Sequence, residues 1–344
     1  MNKTQIHAEI IGHSLSPQGD ELISVLCTFP RIILAEVNTH RMLSKNTSSS
    51  RAIPFKKMAE AVQNDPFIPI AWQKEHTGMQ GYEYIIDEEL INECRLNWLG
   101  AKDKVIQFAK DANYNLQVTK QLCNRLLEPF MWTTMLITGS KEGWDNFFNL
   151  RCPVYYYAGN DKSYKSKKEL LPILLNDFGK SPADSFWYNI NKGQAEIHIM
   201  DLAEKIYDAV NESTPRQLHS GQWHIPFEDK ICDFNITLSN EELVKISTAM
   251  AAHTSYTIVG GEAVKSYEKW IELHDKLIAS EPPHSSPMEH CARAMTSEEY
   301  YLFNRGEAYI DSWHKSPGIL SFTPENRGWC RNFKGFIMYR ELLD

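Results

Sequence analysis

Between Thr39 and Arg51 the chain reads Thr-His-Arg-Met-Leu-Ser-Lys-Asn-Thr-Ser-Ser-Ser-Arg, its densest run of side chains that could do chemistry. A helix end followed by hydroxyl-bearing turn residues supplies backbone N–H groups and short donors that close around phosphate oxygens. Arg41 and Arg51, ten residues apart, supply the countercharge. A solvated linker has a similar composition; His40 and Arg41 on the preceding turn weigh against it, and composition alone leaves both readings open. Other candidates are weaker. His284, His290 and Cys291 lack a fourth ligand at a usual spacing, and no metal site is expected. Lys162, Lys165, Lys167 and Lys168 alternate with Asp161 and Glu169 and read as a solvated face. Tyr155, Tyr156 and Tyr157 suit stacking on a base or pterin ring, or packing in a core or subunit interface.

Charge narrows the partners. With 36 Lys+Arg against 44 Asp+Glu, the chain carries a formal −8 and gains no sequence-independent attraction to nucleic acid. Only twelve of those cations are arginines, so their positions matter. The longest apolar runs, such as 32–37, fall far short of a membrane span. The first residues show no long apolar core before a small-residue cleavage site, and no secretory signal is expected. Seven widely spaced cysteines without a C-x-x-C pair fit reduced thiols, and a cytoplasmic location is expected.

The elements that would position the motif follow from periodicity. Residues 5–13 and 21–29 read as strands joined by the turn Ser16-Pro17-Gln18-Gly19-Asp20, a β-hairpin. A half-buried helix is expected from Arg31 to about Ser44, then a polar run, then a helix from Pro54 to about Val62. Residues 87–128 predict two or three helices, so the middle of the chain reads as mainly helical. A helix over 141–151 would bury Trp144, Phe147, Phe148 and Leu150. Residues 154–192 separate two helices that would otherwise adjoin and read as an insertion. Helices resume at 194–211, 240–252 and 266–280, a loop spans 282–287, and 332–339 reads as a strand. The expectation is one domain over 1–344.

The motif resembles the signature of the flavin-dependent thymidylate synthases, an Arg-His-Arg, seven residues, Ser pattern. Seven residues separate Arg41 from Ser49, and Ser49-Ser50-Arg51 matches the family's ending, while Pro30 to Glu36 matches the segment that leads into the motif. Thr39 stands in place of the family's first arginine and Thr47 where glutamate is frequent. Asn124 to Pro129 resembles the family's arginine four residues before a proline. Asn146 to Arg151 resembles its asparagine five residues before the uracil-contacting arginine. Gln194-Ala195-Glu196-Ile197 resembles its Ala-Gln-x-Glu-Ile helix start, here delayed by the insertion, with Lys192 where histidine is usual. His284 to His290 resembles its Pro-Phe-Glu-His loop, which normally precedes the motif; a circular permutation would explain the order.

The resemblance implies an α+β fold, a mixed β-sheet packed with helices plus a helical subdomain. It implies an enzyme that methylates dUMP to dTMP with methylenetetrahydrofolate as carbon donor and NADPH, through FAD, as reductant. The Pro-Cys-His tripeptide of the flavin-free thymidylate synthases is absent, so charge on the pyrimidine would be stabilised by a fixed cation rather than by a covalent thiolate. Arg151 and Ser49 are the implied catalytic residues. Glu36, Ser49, Ser50, Arg51, Arg125 and Arg151 are implied at dUMP, and His40, Arg41, Asn46, Asn146 and His290 at FAD. A homotetramer with shared sites is also implied. Two other readings stay open: a flavin-dependent hydroxymethylase or related methylase, and a non-catalytic flavin- or nucleotide-binding module.

Overall fold

The computed structural model describes residues 4–78, 81, 83–159, 161–232, 237–254, 266–281, 284–303 and 326–343. The hairpin forms as expected, shifted by about two residues. Strand β1 (His7–Leu15) pairs antiparallel with β2 (Glu21–Pro30), with a bulge between Ile10 and Gly12. The next segment corrects the expected helix. A single 3-10 turn leads into α1 (Leu34–Asn38), and Ser44 to Thr47 form strand β3 instead of a helix end. Buried and half-buried residues alternate along β3, a period of two that the polar composition hid.

Helices α2 (Phe55–Asn64), α3 (Glu88–Tyr114) and α4 (Lys120–Leu126) make a helical subdomain around Phe55, Met58, Ile106, Leu127 and Phe130. Strand β4 (Trp132–Ser140) then crosses the middle of the chain, which the periodicity left as helical. Its run of Thr, Ile and Leu is the strand signal. Helix α5 (Lys141–Arg151) buries Trp144, Phe147 and Phe148, but Leu150 is exposed, contrary to expectation, because it lies on the opposite stripe.

Residues 154–192 leave the fold and return to it. Strands β5 (Tyr155–Tyr157) and β6 (Lys162–Tyr164) form a hairpin, followed by α6 (Lys167–Phe178) and α7 (Asp184–Ile190). The ends meet, since Lys192 N donates to the Val154 carbonyl at 2.7 Å. Tyr155, Leu170, Leu174 and Trp187 form their own small core, so Tyr155 is a packing residue; its hydroxyl donates to Glu204 at 2.9 Å.

Beyond lie α8 (Ile197–Glu212), β7 (Arg216–Gln217), β8 (Trp223–His224), α9 (Glu228–Cys232), α10 (Asn240–His253) and α11 (Tyr267–Ile278). The C-terminal part adds β9 (Ala292–Ala294), α12 (Ser297–Leu302), β10 (Trp329–Cys330), β11 (Phe333–Lys334) and β12 (Phe336–Met338). The tail is thus short strands rather than one. Pro282 and Pro283 lie outside the described residues. The main sheet runs β3-β4-β2-β1-β7, and a smaller one runs β12-β9-β8. The fold is α+β.

The two faces of the main sheet differ. Ile23, Val25, Cys27 and Phe29 of β2, with Met135 and Ile137 of β4, pack under α5 and α8. The alternate residues, including Ser24 and Thr138, face β8 and the segment around His290. Trp144 anchors the first face: it is 1% exposed and its indole N–H donates to the Ile23 carbonyl at 3.2 Å. Trp144→Ala should lower the unfolding free energy by about 3–5 kcal/mol, read from the shift of a urea melt.

Candidate active site

Arg151 is the last residue of α5, and its guanidinium is held by α1 and the residues that follow it. Its Nε donates to His40 Nε2 at 3.0 Å, Nη1 to Glu36 at 3.3 Å, and Nη2 lies 3.5 Å from the Thr39 hydroxyl. The Thr39 hydroxyl in turn donates to the Glu36 carbonyl at 2.6 Å. Of the five N–H groups of a guanidinium, these contacts leave two without a protein acceptor among the described residues. One is on Nη1 and one on Nη2, donors available to a carbonyl or other oxygen.

His40 can accept from Arg151 only as the neutral ring protonated at Nδ1. Its pKa is pushed from the ordinary 6.5 to about 4 by burial first, then by Arg151 and Lys45. The ring rests edge-on against Phe147, 4.8 Å between centroids. Lys45 donates to the His40 carbonyl, and burial lowers its pKa to about 8. Glu36 is shifted up, chiefly by burial and then by Glu196, with Arg151 opposing. Glu196 itself caps α8, accepting from His198 N at 2.8 Å and Ile199 N at 3.2 Å.

A separate cleft of about 490 Å³ opens beside Asn46, Ser49, Arg51, Lys120, His284 and Ser286, and none of its lining residues carries a carboxylate. An acid-free pocket with two permanent cations fits a phosphate-bearing group. The Ser/Arg turn is held from outside by its carbonyls. Arg31 Nη1 donates to Ser48 O at 3.1 Å, Asn124 Nδ2 to Ser50 O at 2.7 Å and Ile53 O at 3.0 Å, and Lys120 Nζ to Ala52 O at 3.1 Å. Arg31 is fixed in turn by Glu128 at 3.0 Å. The roles of Asn124 and Lys120 escaped the sequence reading; for Asn124 the available signal was a polar residue on the buried side of a short helix, and exposed Lys120 gave none.

The cleft also joins two distant blocks. Ser286 Oγ lies 3.3 Å from the Lys45 carbonyl and 3.4 Å from Asn46 Oδ1, so the 284–290 loop sits on β3. Asn46 also donates to the Ala251 carbonyl. Ser49 Oγ accepts from Arg51 N at 3.2 Å, with no side-chain base bonded to it among the described residues. Ser50 is buried. Arg41, Arg125 and Asn146 are exposed and lie outside both the Arg151 cluster and the cleft. His290 is fully buried. Within one chain, therefore, the residues implied at FAD do not converge: His40 is with Arg151, Asn46 is at the cleft, and the other three are apart.

The two groups also open on different sides. Lys45 and Asn46 are neighbours on β3 and point to opposite faces, the first toward His40 and Arg151, the second toward α10 and the cleft. Among the described residues there is no cluster of three metal-ligating side chains, and the seven cysteines are free. No helix of the described residues is long and apolar enough to cross a membrane.

No protein-family profile matches the chain and no curated protein matches it. Among solved structures, the chain is similar to a UMP/dUMP methylase, PolB, from Streptomyces cacaoi bound with 5-Br dUMP: 10% identity, 61% of this chain and 92% of that one, TM-score 0.41. It is also similar to Thymidylate Synthase X from Helicobacter pylori with FAD and dUMP: 14% identity, 55% of this chain and 67% of that one, TM-score 0.29.

The depressed His40 predicts a pH effect. The unfolded chain takes up a proton at this histidine below 6.5 while the folded chain refuses it until about 4, so its contribution to stability is present above 6.5 and lost as pH falls through that window. Urea melts at several pH values should show the unmodified protein losing more stability between pH 6.5 and 4 than His40→Gln.

Proposed function

We propose that this protein is a flavin-dependent thymidylate synthase, converting dUMP to dTMP with methylenetetrahydrofolate as carbon donor and NADPH, through FAD, as reductant. The observation that carries the reading is the Arg151 guanidinium, braced by His40 and Glu36 with two N–H groups left over. Methylation at C5 of uracil requires negative charge to build on the ring, and a fixed fork at a ring carbonyl stabilises that charge without having to reorganise. Neutral His40 leaves the local charge to Arg151 and keeps its orientation constant. Glu36 fixes the guanidinium in place and neutralises part of its charge.

Arg51 and Lys120, with Ser49 beside them, suit phosphate groups of a nucleotide or flavin, and the assignment of Ser50 to dUMP rests on the motif match. Arg125 and the FAD assignments to His40, Arg41, Asn46, Asn146 and His290 rest on the motif matches. Flavin, when bound, supplies the hydride that completes the methyl group; the protein's part is to bind, orient and exclude water. Because Arg51 and Arg151 open on different sides of β3, a homotetramer in which one subunit's cleft meets another's Arg151 would complete the site.

Purified protein is expected to be yellow and to release tritium from C5 of dUMP only when methylenetetrahydrofolate and NADPH are present. Protein that binds neither flavin nor dUMP would refute the reading. Arg151→Lys keeps the charge and loses the fork; turnover should drop on the order of 100-fold with the melting temperature little changed. A hydroxymethyl product in the mass spectrum would assign the sister reaction instead.

A further inference from the structure

Helix α3 carries a stripe that the described residues leave uncovered. Leu90, 50% exposed, and Phe108, 71% exposed, lie eighteen residues or about five turns apart, and so on one side of the helix. Asn97 and Ala101 fall between them on that side, both exposed. The chain's own core takes the opposite side, through Ile106 and Ala109. Large apolar side chains aligned along one exposed helix face mark a surface that another molecule covers.

The spacing of the stripe reads the same in both directions. From Leu90 it steps seven residues to Asn97, four to Ala101 and seven to Phe108, symmetric about Leu99. Two copies packed antiparallel with a two-fold axis at Leu99 set Leu90 of each against Phe108 of the other and Asn97 against Ala101, an isologous contact. Charge runs the same way. Glu88, Glu89 and Glu93 lie in the N-terminal half of α3 and Lys104 and Lys110 in the C-terminal half. Antiparallel helices bring Glu88 to Lys110 and Glu93 to Lys104, and oppose the two helix dipoles, whereas parallel ones would bring glutamate to glutamate. The acids of the C-terminal half have partners within the chain: Asp103 pairs with Lys102 at 2.7 Å, and Asp111 accepts from Asn115 at 2.7 Å.

Gly100 has no explanation within a single chain. It sits mid-helix on the flank of the stripe, where glycine is the poorest helix former after proline, and a Cβ there would meet no atom within 4 Å. In the antiparallel pair that open space lies beside Leu96 of the other copy, which is exposed on the same flank. A small residue at the crossing lets the two backbones approach.

We propose that α3 is a docking face for a second copy of this chain, joined antiparallel about Leu99 through Leu90, Asn97, Ala101 and Phe108. The resemblance implies a homotetramer without saying which faces meet; this pairing stands on α3 alone and does not depend on the reaction proposed above.

Sedimentation velocity of the full-length protein over a range of concentrations should show an assembly. Leu90→Glu or Phe108→Glu should lower it by one step, tetramer to dimer or dimer to monomer, with the near-ultraviolet circular dichroism unchanged. Gly100→Leu has room in the single chain but should weaken the same step about tenfold or more. Glu88→Lys combined with Lys110→Glu should associate more tightly than either substitution alone. For direction, Leu90→Cys and Phe108→Cys proteins, mixed and oxidised, should form a disulfide with each other, and neither should link to its own kind through the new cysteine; should Phe108→Glu not fold, this pair decides. A monomer at every concentration, an assembly indifferent to Leu90→Glu, Phe108→Glu and Gly100→Leu, or a disulfide between two Leu90→Cys chains at that position overturns the pairing. None of these results bears on flavin or dUMP binding, so the proposed reaction stands or falls separately.

Discussion

The antiparallel pairing of β2 with β4 is the constraint from which the rest follows. Its register, Ser24 opposite Thr138 and Val25 opposite Ile137, puts two kinds of residue on two faces of one sheet. One face is apolar and takes α5 and α8; the other carries hydroxyls and takes His224 and His290. A slip of one residue would put Ile137 among the imidazoles and Thr138 beneath Trp144, so the register is fixed by burial on both sides. β3 extends that alternation to the sheet edge, and this is what separates Lys45 from Asn46.

The edge position of β3 explains how one short segment serves two sites. Its partner on one side is β4, and its other side is crossed by loops rather than by a further strand. Through Lys45 it steadies the His40 carbonyl and, by way of His40, the Arg151 fork. Through Asn46 and Ser286 it forms the wall of the cleft. Lys120, Asn124 and Arg31, from the helical subdomain and the 3-10 turn before α1, hold the Ser/Arg turn by its carbonyls. Four segments far apart in the chain thus meet on one edge, each contributing bonds that local sequence does not foresee.

Electrostatics follows from burial more than from net charge. The chain is acidic overall, yet the cleft contains no carboxylate and the Arg151 fork is only partly neutralised by Glu36. Burial also strips protons from His40, His224 and His290, so three of the most protected histidines act as neutral hydrogen-bonding groups. They contribute hydrogen bonds rather than titration near neutral pH.

Local pattern was enough to read the opening hairpin, a helix from Pro54, helical character across 87–128, the helix over 141–151, and the concentration of chemistry between Thr39 and Arg51, because periodicity and turn residues are written in adjacent positions. β3 and β4 were not legible. Four polar residues have no apolar alternation to betray a strand, and β4, buried on both faces, has no polar one. The sequence by itself determined the residue types, the spacing of Arg41, Ser49 and Arg51, and the excess of acid over base. Only the tertiary structure decided that Arg151 meets His40 and Glu36, that the 284–290 loop meets β3, and that Ser24, Thr138, His224 and His290 form one row. Those contacts join residues separated by about a hundred positions or more, and nothing but strand register and packing sets which of them share a face.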